Sequence, residues 1–167
     1  IQNLKIWNRA IDKSIFRPII SEELDPYYLY VGRVSREKNL EAFFSLDLDL
    51  PKVVVGEGPQ LKEYKKKFSE VNFIGYKFGD ELAEIYSNAR VKVFPSLTDT
   101  FGLVMLEANA CGTPVAAYPV TGPIDVISNG INGYYDQDLK SAIENACSIY
   151  RASCFEFADQ FSWSNVA

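Results

Sequence analysis

Two cationic side chains lie close together after the first apolar run of the sequence. Arg33 and Lys38 are five positions apart and flank the turn that follows residues 27–31. Together they could bind an anion such as a diphosphate, because Arg offers a planar fork of donors and Lys a point charge. The same spacing also fits two solvated charges in an exposed loop, the commoner state of these residue types. The pair alone leaves both interpretations open.

Two acidic residues flank the start of a second candidate element. Asp99 and Glu107 are eight positions apart, and the helical run in which Glu107 lies is otherwise almost entirely apolar. The amino end of such a helix offers free amides and a partial positive charge to an anion. A buried Glu needs a partner, and the diol of a ribose would supply one, while Asp99 could take sugar hydroxyls in front of the helix. The alternative is an N-capping Asp followed by an ordinary helical Glu.

A glycine pair follows the second apolar run. Gly56 and Gly58 make half of a dinucleotide-binding fingerprint, but Leu61 occupies the place of the third glycine. A tight turn before a helix explains the pair equally well. A dehydrogenase-type domain needs the complete fingerprint after the first strand, where the sequence has Gly32-Arg33-Val34-Ser35 instead. That class therefore ranks low.

Composition limits the chemistry further. The chain has no histidine, which excludes Ser-His-Asp and Cys-His catalysis and any histidine-bound metal within it. Its three cysteines lack CxxC spacing, which favours free thiols in a reducing compartment over a zinc site. A net charge of −5 argues against a nucleic-acid-binding surface. No stretch approaches the ~20 apolar residues of a membrane helix, and no secretion signal is present at the start, so we expect a cytoplasmic chain.

The elements that position these residues alternate between two types. Short apolar runs with little polar alternation are typical of strands covered on both faces, and amphipathic runs between them predict helices. The alternation predicts an α/β fold, a Rossmann-like three-layer domain with a parallel sheet. The predicted strands are residues 27–31, 52–55, 71–74, 91–94, 114–118 and 133–135. The predicted helices contain Leu61, Leu82 (with Asp80 as N-cap), residues 103–110 and Leu139, and a further helix starts within residues 121–125.

The two ends of the chain differ from its middle. Residues 1–25 contain little strand pattern and read as a lead-in from an upstream domain. Residues 26–150 contain the alternating elements and form the expected binding domain. Residues 151–167 read as the start of a C-terminal helical segment. The chain is therefore expected to be a piece of a longer protein.

Taken together, these segments resemble the C-terminal, donor-binding domain of family 4 retaining glycosyltransferases of the GT-B fold, the glycosyl transferases group 1 type. The matching pieces run in the family's order over nearly the whole chain. They are residues 9–12 with 16–18, Gly32-Arg33 through Lys38-Asn39, Val55-Gly56-Glu57-Gly58-Pro59, Phe73-Ile74-Gly75-Tyr76, Val93-Phe94-Pro95-Ser96, Phe101-Gly102-Leu103-Val104, residues 106–115, and Gly122-Pro123 with residues 129–133.

The resemblance implies a role for each matching residue. Arg33 and Lys38 would bind the donor diphosphate and balance its charge without a metal or other cofactor, and Glu107 would bind the ribose hydroxyls. The family's first acid, commonly Glu, falls on Asp99, whose side chain is one methylene shorter and which we assign to sugar binding. These three positions, Arg33, Lys38 and Asp99, are the candidate catalytic residues. The other candidate donor-binding residues are Gly32, Tyr76, Lys77, Phe101, Gly102, Leu103 and Val104, with Tyr76 and Lys77 at the nucleobase.

The implied function is transfer of a sugar from a nucleotide diphosphate sugar to a carbohydrate or lipid-linked acceptor, as in surface polysaccharide synthesis. The acceptor would be held by an N-terminal domain absent from this sequence, through which the protein could lie at a membrane surface. This chain alone is expected to bind donor without transferring sugar. The alternative, motivated by Asp99 in place of Glu, is a nucleotide-sugar-binding or scaffolding domain that has lost catalysis.

Overall fold

Six parallel strands form one sheet. A computed structural model describes residues 11–22, 24–98 and 103–161. The strand order is β3-β2-β1-β4-β5-β6, and every predicted strand is confirmed to within one residue at each end. The strands are β1 (Tyr28–Val31), β2 (Lys52–Val55), β3 (Asn72–Phe73), β4 (Val91–Phe94), β5 (Val115–Ala117) and β6 (Gly133–Tyr135).

Helices cover both faces of this sheet. They are α1 (Leu40–Phe44), α2 (Leu61–Lys67), α3 (Gly79–Asn88), α4 (Leu103–Ala110), α5 (Pro123–Val126), α6 (Leu139–Ala146) and α7 (Arg151–Asp159), with a short 3-10 turn at Arg36–Lys38. Buried side chains of α1, α2 and α6 form one core with the sheet. Those of α3, α4, α5 and α7 form the core on the other face. The expected three-layer α/β architecture is confirmed.

Strands β2 and β4 are buried on both faces because their sequences are mainly apolar. All four residues of β2 are buried, as are all four of β4. Even Lys52 and Lys92, the charged residues in these two strands, are no more than 8% exposed. Neither strand therefore has a solvent-facing side, as expected for a parallel sheet between two helical layers.

The order of the strands creates a crevice at one edge of the sheet. The chain runs outward from β1 through β2 to β3, then returns to the other side of β1 and continues through β4 and β5 to β6. Connections after β1 and β4 therefore lead away from each other, and the gap between them is where open parallel sheets bind ligands. Gly32 and Arg33 follow β1, while Pro95 and Ser96 follow β4.

Two details of the helices differ from the sequence prediction. Asp80 is not the N-cap of α3, because the helix begins at Gly79 and Phe78 occupies the capping position. Asp80 lies in the first turn, where it accepts a hydrogen bond of 3.0 Å from Arg17 of the lead-in. The five-residue helix α1 was not predicted. Its run is too short for helical periodicity to be recognised.

Both described ends pack on the central elements. The amide of Ile11 donates to the carbonyl of Phe161 at 2.7 Å, and Lys13 pairs with Asp159 at 2.7 Å. Ile11 belongs to the same core as Leu29 of β1. Division of the chain at residues 25 and 150 stays a prediction.

The three cysteines are free, as expected. Burial raises the pKa of both Cys111 and Cys154 to about 12. Their thiols stay protonated at neutral pH, so neither is an activated nucleophile.

Candidate functional site

Two adjoining cavities lie at the carboxyl ends of the strands. The first, which we call the Glu107 cavity, has a volume of about 440 Å³ and extends from Arg33 to Tyr76 and Glu107. The second, the Lys38 cavity, has a volume of about 290 Å³ and extends from Arg33 to Lys38 and Ser96. The two share a wall formed by Val31, Gly32, Arg33 and Val104.

The cavities bring together the predicted site residues that the structure describes. Lys38 and Leu103 line the Lys38 cavity, while Tyr76, Lys77 and Glu107 line the Glu107 cavity. Gly32, Arg33 and Val104 line both. The remaining predicted residues, Asp99, Phe101 and Gly102, lie outside the described residues.

Arg33 lies where the two cavities meet. Its backbone is held by the Tyr30 hydroxyl, which donates to the Arg33 carbonyl at 2.8 Å. The side chain is exposed. No hydrogen bond or ion pair holds its guanidinium within the described ranges, which leaves the planar donor fork available to a ligand.

The glycine pair after β2 has a packing explanation. A Cβ built on Gly56 would lie 1.9 Å from the carbonyl oxygen of Gly32, and one on Gly58 would lie 2.2 Å from that of Val34. The two loops are joined by the Val34 amide, which donates to the Glu57 carbonyl at 3.0 Å. Gly56 and Gly58 therefore let the loop after β2 lie against the loop carrying Arg33. This packing accounts for both glycines without a dinucleotide ligand.

Asn39 ties the Lys38 loop to the loop after β4. Its backbone is left-handed, with a φ of 57°, and links the 3-10 turn to α1. Its side-chain amide donates to the Pro95 carbonyl at 3.0 Å. Asn tolerates this conformation better than other residues with a Cβ, and its side chain also joins the two loops. Asn39 thereby places Lys38 beside Ser96.

Replacing Asn39 with alanine is expected to lower the free energy of unfolding by about 2 kcal/mol, since alanine strains the left-handed backbone and loses the bond to Pro95. Asn39→Gly removes only the bond and should lose about half as much. Urea unfolding of the two variants and the wild type measures both values. Equal losses in the two variants would contradict a contribution from backbone strain.

Glu107 is held in the cleft by a tyrosine from the neighbouring helix. The hydroxyl of Tyr86 in α3 donates to Oε2 of Glu107 in α4 at 2.9 Å. Burial raises the pKa of Glu107 to about 6, although the bond from Tyr86 and the nearby Lys92 ammonium oppose the increase. Burial and the adjacent carboxylate raise the pKa of Tyr86 well above its usual value, so it remains a donor. The carboxyl group is thus oriented, and it is ionised at neutral pH.

Lys92 is a charged site residue that the sequence analysis missed. It lies fully buried in β4, with Nζ 3.0 Å from the Val93 carbonyl and 5.0 Å from the centre of the Tyr30 ring. Tyr30 lines the Lys38 cavity, so a buried ammonium lies behind that cavity's wall. The signal was available, because Lys92 interrupts an otherwise apolar run.

Aromatic side chains mark the mouth of the Glu107 cavity. Tyr76 is 69% exposed and Phe78 is 72% exposed, and their ring centres are 6.0 Å apart. Lys77 between them forms an ion pair of 3.0 Å with Glu81. Tyr86 differs from this pair because it is fully buried and belongs to the core. Tyr76 and Phe78 are therefore available to a flat ring entering the cleft, and Tyr86 is not.

Comparison with known sequences shows the family. A model of the family described as "Glycosyl transferases group 1" matches residues 12–144. The chain is 34% identical over 146 residues to the sulfoquinovosyl transferase SQD2 of Arabidopsis thaliana, covering 78% of this chain and 29% of that protein. It is 32% identical over 145 residues to a GDP-mannose-dependent alpha-mannosyltransferase of Corynebacterium glutamicum, covering 80% of this chain and 35% of that protein. The chain belongs to the glycosyl transferases group 1 family and spans about a third of the length of these relatives.

Solved structures share the fold. Sucrose-phosphate synthase from Thermosynechococcus elongatus superposes with a TM-score of 0.80 at 25% identity, covering 94% of this chain and 48% of that one. Anabaena HepE, solved in complex with UDP, superposes with a TM-score of 0.75 at 17% identity, covering 94% of this chain and 53% of that one. Both superpositions show that this chain shares the fold of these proteins.

The sequence analysis predicted neither a metal site nor a membrane-spanning helix. Within the described ranges, no three side chains of the metal-ligating types gather into a group that could hold an ion. Metal-independent chemistry nevertheless stays a prediction. No helix in the described part of the chain is long and apolar enough to cross a bilayer.

Proposed function

We propose that this chain binds the nucleoside diphosphate part of a sugar donor across its two adjoining cavities. The parent protein then transfers the sugar to a carbohydrate or lipid-linked acceptor with retention of anomeric configuration, in surface polysaccharide synthesis. The acceptor is held by a further domain, on the cytoplasmic side of a membrane.

One observation carries this proposal. Arg33 lines both cavities, with Lys38 in one and Glu107 in the other. A single ligand with an anionic centre and a diol to one side can therefore contact all three side chains. A nucleoside diphosphate has this pattern, since its diphosphate carries the charge and its ribose carries the diol.

The charges of the cleft suit such a ligand. The Arg33 fork and the Lys38 ammonium are suited to binding phosphate oxygens. Helix α4 begins at the shared wall, where its amino end also favours an anion. The carboxylate of Glu107 is an acceptor for two ribose hydroxyls. Tyr76 and Phe78 at the mouth offer ring faces to a nucleobase.

The names of similar proteins support the same ligand class. One relative is named as GDP-mannose-dependent, and HepE was solved with UDP-glucose as well as with UDP. These bases differ. The names therefore do not identify the base that this chain binds. Both names nevertheless give a nucleoside diphosphate that carries a sugar.

In the proposed reaction the acceptor hydroxyl attacks the anomeric carbon from the face that the diphosphate leaves. A new carbon–oxygen bond to the acceptor replaces the bond to the diphosphate, and a departing phosphate oxygen takes the acceptor's proton. Arg33 and Lys38 stabilise the charge that develops on the diphosphate. Asp99 and the amides of Phe101 and Gly102 complete the sugar contacts, and no other cofactor is required.

Calorimetric titration of the chain with UDP, GDP and ADP tests the proposal. At least one should bind saturably, with the same affinity in EDTA, and its free nucleoside should bind far more weakly because it lacks the diphosphate. Circular dichroism verifies the fold. A folded chain that binds none of the three would refute the proposal.

A further inference from the structure

A buried serine in the Lys38 cavity has no role in the site described so far. Ser96 follows β4 and is 2% exposed. Its hydroxyl has no hydrogen-bond partner among the residues that the structure describes. Buried hydroxyls in native proteins are nearly always paired, and an exception in a ligand cavity indicates that a ligand supplies the partner.

The surroundings of Ser96 define the kind of ligand atom. The same cavity is lined by Arg33, Lys38 and Leu103 at the amino end of α4, with the Lys92 ammonium behind the Tyr30 ring. Glu37 is the acid among its lining residues. An anionic oxygen suits this predominantly positive cavity, and the hydroxyl would act as the donor to it.

The position of the cavity identifies which phosphate. This step rests on the proposed function, in which Glu107 binds the ribose in the neighbouring cavity. The first phosphate is attached to the ribose and lies at the shared wall beside Arg33. The second phosphate then extends into the Lys38 cavity, beside Ser96.

We propose that Ser96 donates a hydrogen bond to the second phosphate of the donor and so helps the site distinguish nucleoside diphosphates from monophosphates. The ligand supplies the hydrogen-bond partner that the described residues do not provide. The hydroxyl thus contributes to binding and not to the stability of the unliganded chain.

The chain contains a matched control for this inference. Ser87 is also 2% exposed, but its hydroxyl donates to the Ala83 carbonyl at 2.7 Å and accepts from the Ile19 amide at 2.8 Å. Ser87→Ala should therefore lower the melting temperature and leave nucleotide affinity unchanged. Ser96→Ala should leave the melting temperature unchanged or raise it, because it removes a buried hydroxyl that no described residue pairs with.

Calorimetry compares the wild type and both variants with the tightest-binding of UDP, GDP and ADP and with the matching monophosphate. Ser96→Ala is expected to weaken diphosphate binding about tenfold and monophosphate binding less than twofold. Equal losses for the two ligands, unchanged diphosphate affinity, or a melting temperature lowered as in Ser87→Ala would each overturn the inference.

The inference can fail without the proposed function. Suppose that the wild type binds a diphosphate, that Arg33→Ala weakens this binding, and that Ser96→Ala does not. In that case only the role of Ser96 is wrong. If the folded wild type binds no nucleotide, the proposed function is wrong, and the inference about Ser96 falls with it.

Discussion

Arg33→Ala should weaken binding of a nucleoside diphosphate roughly 30- to 150-fold, equivalent to about 2 to 3 kcal/mol. The reason is geometric, because Arg33 lies at the wall shared by both cavities and its fork can contact both phosphates. Arg33→Lys keeps the positive charge and loses the planar fork of donors, so its affinity should lie between those of the wild type and Arg33→Ala. Titration calorimetry measures each affinity.

A nearby arginine provides the control for this effect. Arg36 is three positions further along, with a side chain that is 77% exposed and 3.6 Å from Glu63. It lines a different cavity, so Arg36→Ala removes the same charge from the same loop without touching the cleft. Equal weakening by Arg33→Ala and Arg36→Ala would show that net charge alone attracts the nucleotide, contrary to the site described above.

Glu107→Gln should have opposite effects on stability and on binding. The folded protein raises the pKa of Glu107 from 4.5 to about 6. The folded state therefore holds this proton more tightly than the unfolded state does. The resulting stabilisation is fully present below pH 4.5 and is lost as the pH rises to about 6. Above that pH, the ionised carboxylate costs about 2 kcal/mol, from ~1.4 kcal/mol for each pKa unit.

Glutamine removes this cost because it carries no charge. At pH 8, Glu107→Gln should be more stable than the wild type by about 1 to 2 kcal/mol, which raises the melting temperature by a few degrees. The wild type should also gain relative stability as the pH falls through 6, whereas the variant should not. Thermal melts of both proteins between pH 4.5 and pH 8 measure this difference. A variant less stable than the wild type at pH 8 would contradict a strained, functional carboxylate.

The same substitution should weaken nucleotide binding about 10- to 30-fold, because an amide accepts ribose hydroxyls less strongly than a carboxylate does. Wild-type affinity should fall as the pH drops below about 6, where Glu107 becomes protonated. In Tyr86→Phe this midpoint should move to higher pH, since the lost hydrogen bond stabilised the charged form. A 2′-deoxy nucleotide should show little difference between the wild type and Glu107→Gln. An equal loss with the deoxy nucleotide would show that Glu107 does not bind the ribose.

The fold could be predicted from the sequence because its strands carry strong local signals. Each is a short, mainly apolar run, and five of the six predicted runs are followed directly by Gly or Pro. These runs can be recognised as strands from the local sequence alone, without knowledge of which helices pack on them. Helix starts were less predictable. The spacing around Leu82 suggested Asp80 as the cap, but Gly79, with a φ of 62°, begins the helix.

The site was predictable only in part, because some of its determinants are contacts between distant positions. Arg33, Lys38 and Glu107 could be selected by type and spacing, and the strand order then places them around one crevice. The bond between Tyr86 and Glu107 joins two helices and depends on how α3 packs on α4. Ser96 is recognised because its hydroxyl has no partner in the part of the chain that the structure describes, which is a property of packing and not of a motif.

A crystal structure of the chain with UDP, GDP or ADP, whichever binds most tightly, tests the central claim most directly. The account predicts a diphosphate within hydrogen-bonding distance of Arg33 and Lys38, with a ribose hydroxyl on the Glu107 carboxylate of the same molecule. A nucleotide bound instead in the cavity of Tyr28, Asp49 and Cys147, at the amino ends of the strands, would contradict it.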